Sequence, residues 1–398
     1  MAKVYSNALQ ETLEVDRIIG HLKGDEDGPT LVFFAGIHGN EPAGVFALKH
    51  VIRELKLRQA PIQGQLYAIA GNLQALEQKA RFMEKDLNRI WTVENLQQTL
   101  QNDDGISKDE QEMRELHELL RAILEQNQPP FYFIDLHTTS GDTSPFMVLN
   151  DSLLNRKLAS QYPLPTILGI EEYLVGALLS YINELGYVSL GYESGQHDDV
   201  VSIRNCTHFI HYTLGITELV AYSPAEVAKL RMEIANSSVV SSKFYEIYYQ
   251  HEIQNRGQFE MRPGFKNFQK IPRGTAIAMD NGNDIMTQRK RQIFMPLYQK
   301  LGNEGFYYIK SIPLVLLWIS KGLRRYKMDH LLVWLPGIQW SSGQKDGLLV
   351  DQRIAKFLAK SFFHLLGYRT RQLDRTHLVV KSREMASRNL EYKSSGWY

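Results

Sequence analysis

Cysteine is nearly absent from this sequence, since Cys206 is the only one among 398 residues. One thiol forms no intrachain disulfide, and it does not build the thiolate clusters that hold structural zinc. Such a cysteine is more often a small buried apolar group than a nucleophile. The composition therefore fits a reducing compartment, and cytoplasmic is the default expectation.

An excess of charge of one sign is also absent, because 45 basic residues face 44 acidic ones and the formal net charge is +1. This balance predicts no nucleic-acid partner and no general attraction to an anionic membrane. A glycine-rich phosphate loop with its lysine is missing as well, which leaves nucleotide chemistry without support.

Long apolar runs are missing too. The longest, "IPLVLLWI" at 312–319, is far shorter than the ~20 residues that span a bilayer. We therefore expect no membrane span. This run opens an aromatic and basic segment, "LVLLWISKGLRRYKMDHLLVWLPGIQW", whose role is open. The alternatives for this segment are an active-site cover, an oligomer interface or a membrane contact. Buried packing is favoured, because such short apolar runs are usually core. The last residues, "YKSSGWY", predict a loose tail.

Buried strands alternate with amphipathic helices in the first part of the chain. Three short apolar runs, 30–36, 64–72 and 131–136, are typical of strands covered on both faces. A helical period follows the first run, and "SKDEQEMRELHELL" opens with a capping box from Ser107 to Glu110. The pattern predicts an α/β fold with a central mixed sheet flanked by helices.

The sequence pattern changes near residue 250, where short β-type runs are separated by Pro-Arg-Gly and Asn-Gly turns. We predict a catalytic domain over 1–250 and a smaller β-rich accessory domain over 251–398, with a helical C-terminal extension. Its final helix is expected near 351–366 and ends at Gly367.

A histidine and a glutamate three residues apart follow the first predicted strand, in "FFAGIHGNEPAG". Alone, His38 and Glu41 fit a solvated loop before a helix equally well, because chance produces this spacing. Their position is more informative, since open α/β sheets place ligand sites where strands pass into helices.

His137 follows another buried strand, in "FYFIDLHTTSG". If the two strands are parallel neighbours, His38, Glu41 and His137 meet at one sheet edge. Two histidines and a carboxylate with one open position make a catalytic zinc site. Asp135 could orient a ligating imidazole. The alternative for His137 is an ordinary histidine at a strand end.

Two further segments carry candidate chemistry. In "KARFMEKDLNRIW", Arg81, Asn88 and Arg89 could grip an anionic substrate, because an arginine fork matches a carboxylate; surface charge is the alternative. In "GYESGQHDD", Glu193 could act as the base that a zinc hydrolase needs, although an acidic residue beside a turn is usually only solvated.

Together the segments "GIHGNEPAG", "ARFMEKDLNR", "DLHTTSG" and "GYESGQ" resemble the aspartoacylase and succinylglutamate desuccinylase family, a branch of the zinc carboxypeptidase-like hydrolases. They occur in the family's order between about residues 36 and 196. A weaker match, "NEGFYY" at 303–308, lies in the second predicted domain.

The resemblance implies a role for each matching residue. One zinc ion per chain would be held by His38, Glu41 and His137, with Glu193 as general base. Arg81 would polarise the scissile carbonyl, and the substrate would be bound by Asn88, Arg89 and Tyr307. In the family's aspartoacylases, a tyrosine and an arginine shortly before the general base contact the acyl end of the substrate. The corresponding stretch here, 175–193, contains no arginine. The acyl specificity therefore stays open, as does the amine specificity.

We therefore expect a zinc-dependent amidohydrolase that cleaves an N-acyl amino acid or a similar small carboxylate-bearing amide. A metallocarboxypeptidase acting on short peptides is the closest alternative, because it would share the metal, base and arginines. A metal-binding interaction protein without catalysis is less favoured, since base and oxyanion residues accompany the ligands. The expected partner is a small molecule, and a homo-oligomer is possible.

Overall fold

The structure is a computed structural model that describes residues 1–398 apart from 103–104, 327, 344, 346, 352, 356–362, 364–365 and 373–376. The strands of the described residues are Ala2–Ser6 (β1), Glu11–Val15 (β2), Ile18–Lys23 (β3), Glu26–Ala35 (β4), Gln63–Ala70 (β5), Phe131–Thr139 (β6), Phe146–Leu149 (β7), Thr166–Leu168 (β8), Val188–Gln196 (β9), Phe244–Glu252 (β10), Phe259–Met261 (β11), Lys270–Ile271 (β12), Ala276–Asp280 (β13), Asn283–Met286 (β14), Arg291–Phe294 (β15), Glu304–Ser311 (β16), Ile338–Trp340 (β17), Gly347–Asp351 (β18), Tyr368–Gln372 (β19) and His377–Ser382 (β20).

The α-helices of the described residues are Ala43–Leu57 (α1), Leu73–Gln78 (α2), Val93–Gln101 (α3), Lys108–Gln126 (α4), Leu153–Ala159 (α5), Leu178–Glu184 (α6), Val200–Ile216 (α7), Pro224–Ser237 (α8) and Leu314–Arg325 (α9). Short 3₁₀ turns include Leu87–Arg89, Met328–Trp334 and Asn389–Tyr392, and the first of them carries candidate site residues. Within the described residues, no helix combines the length and the apolar character needed to cross a bilayer.

An 11-stranded sheet runs through the molecule in the order β12-β15-β16-β10-β8-β7-β9-β6-β4-β5-β3. Its centre, β5-β4-β6-β9, is parallel, whereas β3, β7 and β16 pair with neighbours antiparallel. The predicted α/β fold with a central mixed sheet and a smaller C-terminal β-rich region is confirmed.

The central strands are apolar throughout because both faces of the sheet are covered. Along β4, Leu31 and Phe33 join the core cluster on one face, and Val32 and Phe34 join the cluster on the other. Helix α1 packs on the first face and α4 on the second. Continuous hydrophobic runs are the expected pattern for parallel strands between two helix layers.

The start of α4 confirms the capping box read from the sequence. The Ser107 hydroxyl accepts from the Glu110 backbone N–H at 3.3 Å, and the Glu110 carboxylate accepts from the Ser107 backbone N–H at 2.8 Å. These reciprocal bonds satisfy two of the N–H groups that a helix start leaves unpaired.

The C-terminal part of the chain contributes to the central sheet and also forms smaller sheets, β11-β13-β14 and β17-β18-β20-β19. The domain boundary expected near residue 250 falls inside β10, and the division into two domains stays a prediction. Most of the helix expected over 351–366 lies outside the described residues.

Two predictions for the C-terminal segments are wrong. The last residues are anchored: Tyr392 donates to the Phe131 carbonyl, and the Trp397 indole N–H donates to Tyr132 at 3.0 Å. Conversely, α9 leaves most of its apolar side chains exposed instead of buried.

Candidate functional site

The loop between β4 and α1 carries His38 and Glu41 to the C-terminal edge of the sheet. Gly36 enters it with φ +72°, a left-handed conformation that glycine adopts without strain. Gly39 packs directly on α2, because a Cβ atom there would lie 2.0 Å from the Ala75 carbonyl carbon. The tight turn thus holds both polar side chains, which are buried, beside the strand ends.

The two predicted histidines converge on the predicted carboxylate. The Glu41 carboxylate oxygens lie 2.9 Å from His38 Nδ1 and 3.0 Å from His137 Nδ1. Ligand atoms of all three residues fall within 4.8 Å of one another, so the residues present fit one metal ion. Their side chains are almost fully buried.

A second carboxylate orients each imidazole from its other nitrogen. His38 Nε2 lies 3.0 Å from Asp86, and His137 Nε2 lies 2.6 Å from Asp135. A proton on each Nε2 leaves each Nδ1 lone pair facing Glu41. Carboxylate–histidine pairs of this kind are the usual support of metal-ligating histidines.

Burial and charge act in opposite directions on these groups. Burial alone would raise the pKa of Glu41, but His38 and His137 outweigh it and hold that pKa well below its usual value. Burial would likewise lower the pKa of His137, yet Asp135 and Glu41 raise it well above normal. The cluster therefore strongly favours positive charge at its centre, as a cation site requires.

Glu193 approaches this cluster from the neighbouring strand, because β9 pairs with β6 in a register that sets it beside His137. Burial raises the pKa of Glu193 to about 8, and Glu41 and Asp135 add to the shift against the effect of His137. Among the described residues, its Oε2 atom is buried without a hydrogen-bond partner, as is Oδ1 of Asp135. A cation would lower that pKa.

Arg81 lies next to the cluster. Its Nη1 atom is 3.6 Å from Glu41, and its other nitrogens are 3.1 and 3.2 Å from Asp86. Asp86 thus bridges Arg81 and His38. Burial would raise the pKa of Asp86, but His38, Arg81 and Arg89 keep it well below normal.

Asn88 and Arg89 occupy the 3₁₀ turn that follows. The Asn88 side-chain oxygen accepts from the Leu178 backbone N–H at 3.0 Å, and Arg89 Nε donates to Glu304 at 3.2 Å. Tyr307 on β16 is buried beside them, and burial with Glu304 raises its pKa well above normal. This strand therefore brings the C-terminal region to the same site.

One pocket contains every residue that the sequence predicts for the site. Its lining includes His38, Glu41, Arg81, Asn88, Arg89, His137, Glu193 and Tyr307.

Residues 27–197 match the family model described as the succinylglutamate desuccinylase/aspartoacylase catalytic domain. The resemblance of this segment to that family is therefore confirmed. The succinylglutamate desuccinylase of Pseudomonas paraeruginosa is 26% identical over 113 residues, which cover 28% of this chain and 32% of that protein. The aspartoacylase of Mus musculus is 29% identical over 125 residues, which cover 31% and 38%. The matches therefore span about a third of these relatives.

A solved succinylglutamate desuccinylase/aspartoacylase structure from Rhodobacter sphaeroides superposes with a TM-score of 0.56 at 17% identity. It covers 78% of this chain and 94% of that one. At this identity the likeness shows the fold, and it extends beyond the segment that the family model matches.

Asp86 and Glu304 are site residues that the sequence reasoning missed. Both stand inside segments that were singled out for other residues, "KDLNR" and "NEGFYY". The spacing of Asp86, two residues before Asn88, was the available signal. Glu304 had none, because its partner Arg89 is 215 residues away in the chain.

His197 also lines the pocket, and its Nδ1 atom lies 2.7 Å from the Thr138 hydroxyl. Burial lowers its pKa. His197 is half-buried at the pocket, a position that favours contact with substrate.

Proposed function

We propose that the chain is a zinc-dependent hydrolase that cleaves the amide bond of an N-acyl amino acid or a similar small carboxylate-bearing amide. The observation that carries the proposal is the convergence of His38, Glu41 and His137 with Glu193 on the adjacent strand. The match of residues 27–197 to the desuccinylase/aspartoacylase family model supports it.

A Zn²⁺ ion would be held by the two histidines and Glu41, and it would supply Lewis acidity that polarises an amide carbonyl and acidifies water. The donor set, two imidazoles and one carboxylate, is the one that catalytic zinc sites use.

The chain's own residues supply the remaining chemistry. Glu193 accepts the proton of the attacking water and returns it to the leaving nitrogen. Arg81 donates hydrogen bonds to the oxygen on which negative charge develops, in a buried setting where such bonds are strong. Asn88 and Arg89 bind the substrate carboxylate and so set the position of the amide.

The pocket favours a small substrate over a peptide. Residues of the C-terminal region, including Met295, Pro296 and Leu297, line it together with the catalytic segments. Tyr307 and Glu304 on β16 close the side that holds Arg89. A chain of several residues would need this side open.

The test is an assay of the zinc-loaded protein against a panel of N-acyl amino acids and short peptides. Glu193→Gln should lower kcat by about 10²–10⁴-fold, because the proton acceptor is lost. Zinc content should stay at one ion per chain. The control is Glu125→Gln, an exposed glutamate on α4. Normal turnover in Glu193→Gln would exclude it as the base, and absence of turnover on the whole panel would contradict the proposal.

A further inference from the structure

Helix α9 exposes most of its large apolar side chains to solvent instead of burying them. Its outward side carries Leu314, Val315 and Trp318, which are 80%, 64% and 76% exposed. Leu316 and Ile319 are exposed as well. We call these five side chains the α9 apolar surface. Large exposed apolar patches on proteins mark contacts with partners or membranes.

The orientation of α9 is held by polar contacts on its inner side. Ser320 and Arg324 are buried, and Arg324 Nη2 lies 2.8 Å from the Asp151 carboxylate. A rotation that buried the apolar surface would pull this arginine away from a buried partner. The exposed apolar side is therefore a built feature of the fold.

Cations border the same helix. Lys157, Lys321 and Arg325 line a groove together with Leu317 and Trp318. Among the described residues, none of these three cations is paired with a carboxylate, and α9 itself contains no acidic residue. Burial and the two neighbouring cations lower the pKa of Lys157, as expected for a cluster of like charge.

Apolar and tryptophan side chains beside cations that no described carboxylate neutralises match one partner better than others. A second copy of this chain, docked about a two-fold axis, would bring the like charges of the two groups together. An anionic phospholipid surface offers negative headgroups to the cations and an interfacial region to tryptophan and leucine. We propose that α9 docks the protein onto the surface of an anionic phospholipid bilayer.

The test is sedimentation of the full chain with phosphatidylcholine vesicles that contain or lack phosphatidylglycerol. The unaltered protein should bind only the anionic vesicles, and salt should weaken the binding. Trp318→Ser and the double variant Lys321→Glu/Arg325→Glu should each reduce binding about tenfold or more, since each cation near the surface contributes about 1 kcal/mol.

Matched controls separate a defined surface from general effects. Leu57→Ser removes a similarly exposed apolar side chain at the end of α1. Lys49→Glu/Arg53→Glu changes the same net charge at the same spacing on α1. Both should bind as the unaltered protein does. Equal loss in the controls would overturn the proposal, as would no binding to anionic vesicles. A third result would also overturn it: the unaltered protein binds no vesicles, and light scattering shows that it forms a dimer that Trp318→Ser dissociates.

A different observation concerns the wall beside the carboxylate clamp, and this inference rests on the proposed function. The segment 174–179 is fastened to the clamp: Leu178 N–H donates to Asn88, and Gly176 packs against the Arg89 carbonyl. Leu174, Ala177 and Leu179 line the pocket there, together with Val148 and Ile170.

Cations are scarce on this wall. Apart from its histidines, the described pocket lining holds two, and the proposed function engages both, Arg81 with the scissile oxygen and Arg89 with the first carboxylate. A second substrate carboxylate would meet apolar side chains there and lose its hydration without a partner. We infer that the amino acid released by the enzyme has an apolar side chain.

Rates on N-acetyl-leucine and N-acetyl-aspartate test this inference. We expect kcat/KM to be at least about tenfold higher for the leucine compound. Leu179→Arg should narrow or reverse the ratio, whereas Val175→Arg, an exposed neighbour outside the pocket, should not. Preference for aspartate would overturn this inference and leave the proposed function standing. If the protein cleaves neither these two compounds nor any other N-acyl amino acid, the proposed function itself is overturned.

Discussion

Three candidate ligand-binding side chains of the site are each held by a carboxylate. His38 has Asp86, His137 has Asp135, and Arg89 has Glu304. Such partners fix the rotamer and the protonation state of the residue that touches the ligand. A site of this kind is sensitive to residues that never contact substrate.

Asp86→Asn is the sharpest test of this arrangement. The amide would still fill the space but would accept only a weaker, uncharged hydrogen bond from His38 Nε2, so zinc affinity should fall about 10–100-fold. Titration of the zinc-loaded protein with a competing chelator measures this. Asp142→Asn, an exposed aspartate paired with Lys266, serves as the control and should leave the affinity unchanged.

Arg89→Ala should mainly raise KM for substrates that carry a carboxylate, because the guanidinium binds ground and transition states alike. Arg89→Lys should restore only part of the loss, since an ammonium group lacks the two-pronged geometry. Substrate analogues in which an amide replaces the carboxylate give the comparison. An equal loss on both kinds of substrate would contradict a carboxylate clamp.

At the level of secondary structure, parallel strands bring distant residues to one edge. β4 and β9 both pair with β6, so the loop after β4 and Glu193 on β9 flank His137. The apolar runs of these strands were readable in the sequence, and so were the polar residues that follow them. The convergence of His38, Glu41 and His137 depended only on the parallel pairing of neighbours.

The turn at Gly176 packs directly against the 3₁₀ turn that carries Arg89. It has φ +76°, and a Cβ atom there would lie 2.2 Å from the Arg89 carbonyl oxygen. Gly274 has φ +77° but no atom near its missing Cβ. Gly274→Ala should cost about 1–2 kcal/mol of unfolding free energy from backbone strain alone. Gly176→Ala should cost more and should also raise KM, as urea unfolding and kinetics would show. Equal effects of the two changes would argue against the contact with the clamp.

On the scale of the whole molecule, a buried group of charges ties the C-terminal segment to the catalytic region. Asp151 contacts Arg156 nearby in the chain and Arg324 and Arg383 far beyond it. Glu384 also contacts Arg324, at 3.1 Å. Contacts of this range hold α9 and the strands after it in place.

Asp151→Asn should destabilise the protein by about 3–5 kcal/mol at neutral pH, because three arginines lose their shared partner. Burial would raise the pKa of Asp151, but Arg156, Arg324 and Arg383 outweigh it and hold that pKa below its usual value. Its contribution is therefore complete above the unfolded pKa of about 3.9 and is lost as the pH falls below it.

The measurement is urea unfolding at several pH values. The difference between Asp151→Asn and the unaltered protein should be constant from about pH 5 to 7 and should shrink below about pH 4. Asp142→Asn, which removes an exposed pair, should cost less than about 1 kcal/mol throughout. A difference that grows as the pH falls would contradict the assigned direction.

The sequence by itself determined which segments become strands and helices and which polar residues follow them, because periodicity and capping act between residues close in the chain. It also marked all eight candidate residues, although their roles stay predictions. Only the tertiary structure decided that Glu304 faces Arg89, that Tyr392 and Trp397 anchor the last residues, and that α9 points its apolar side outward. Those outcomes depend on contacts between residues far apart in the chain, such as Arg324 and Asp151, which are 173 positions apart and which local pattern does not encode.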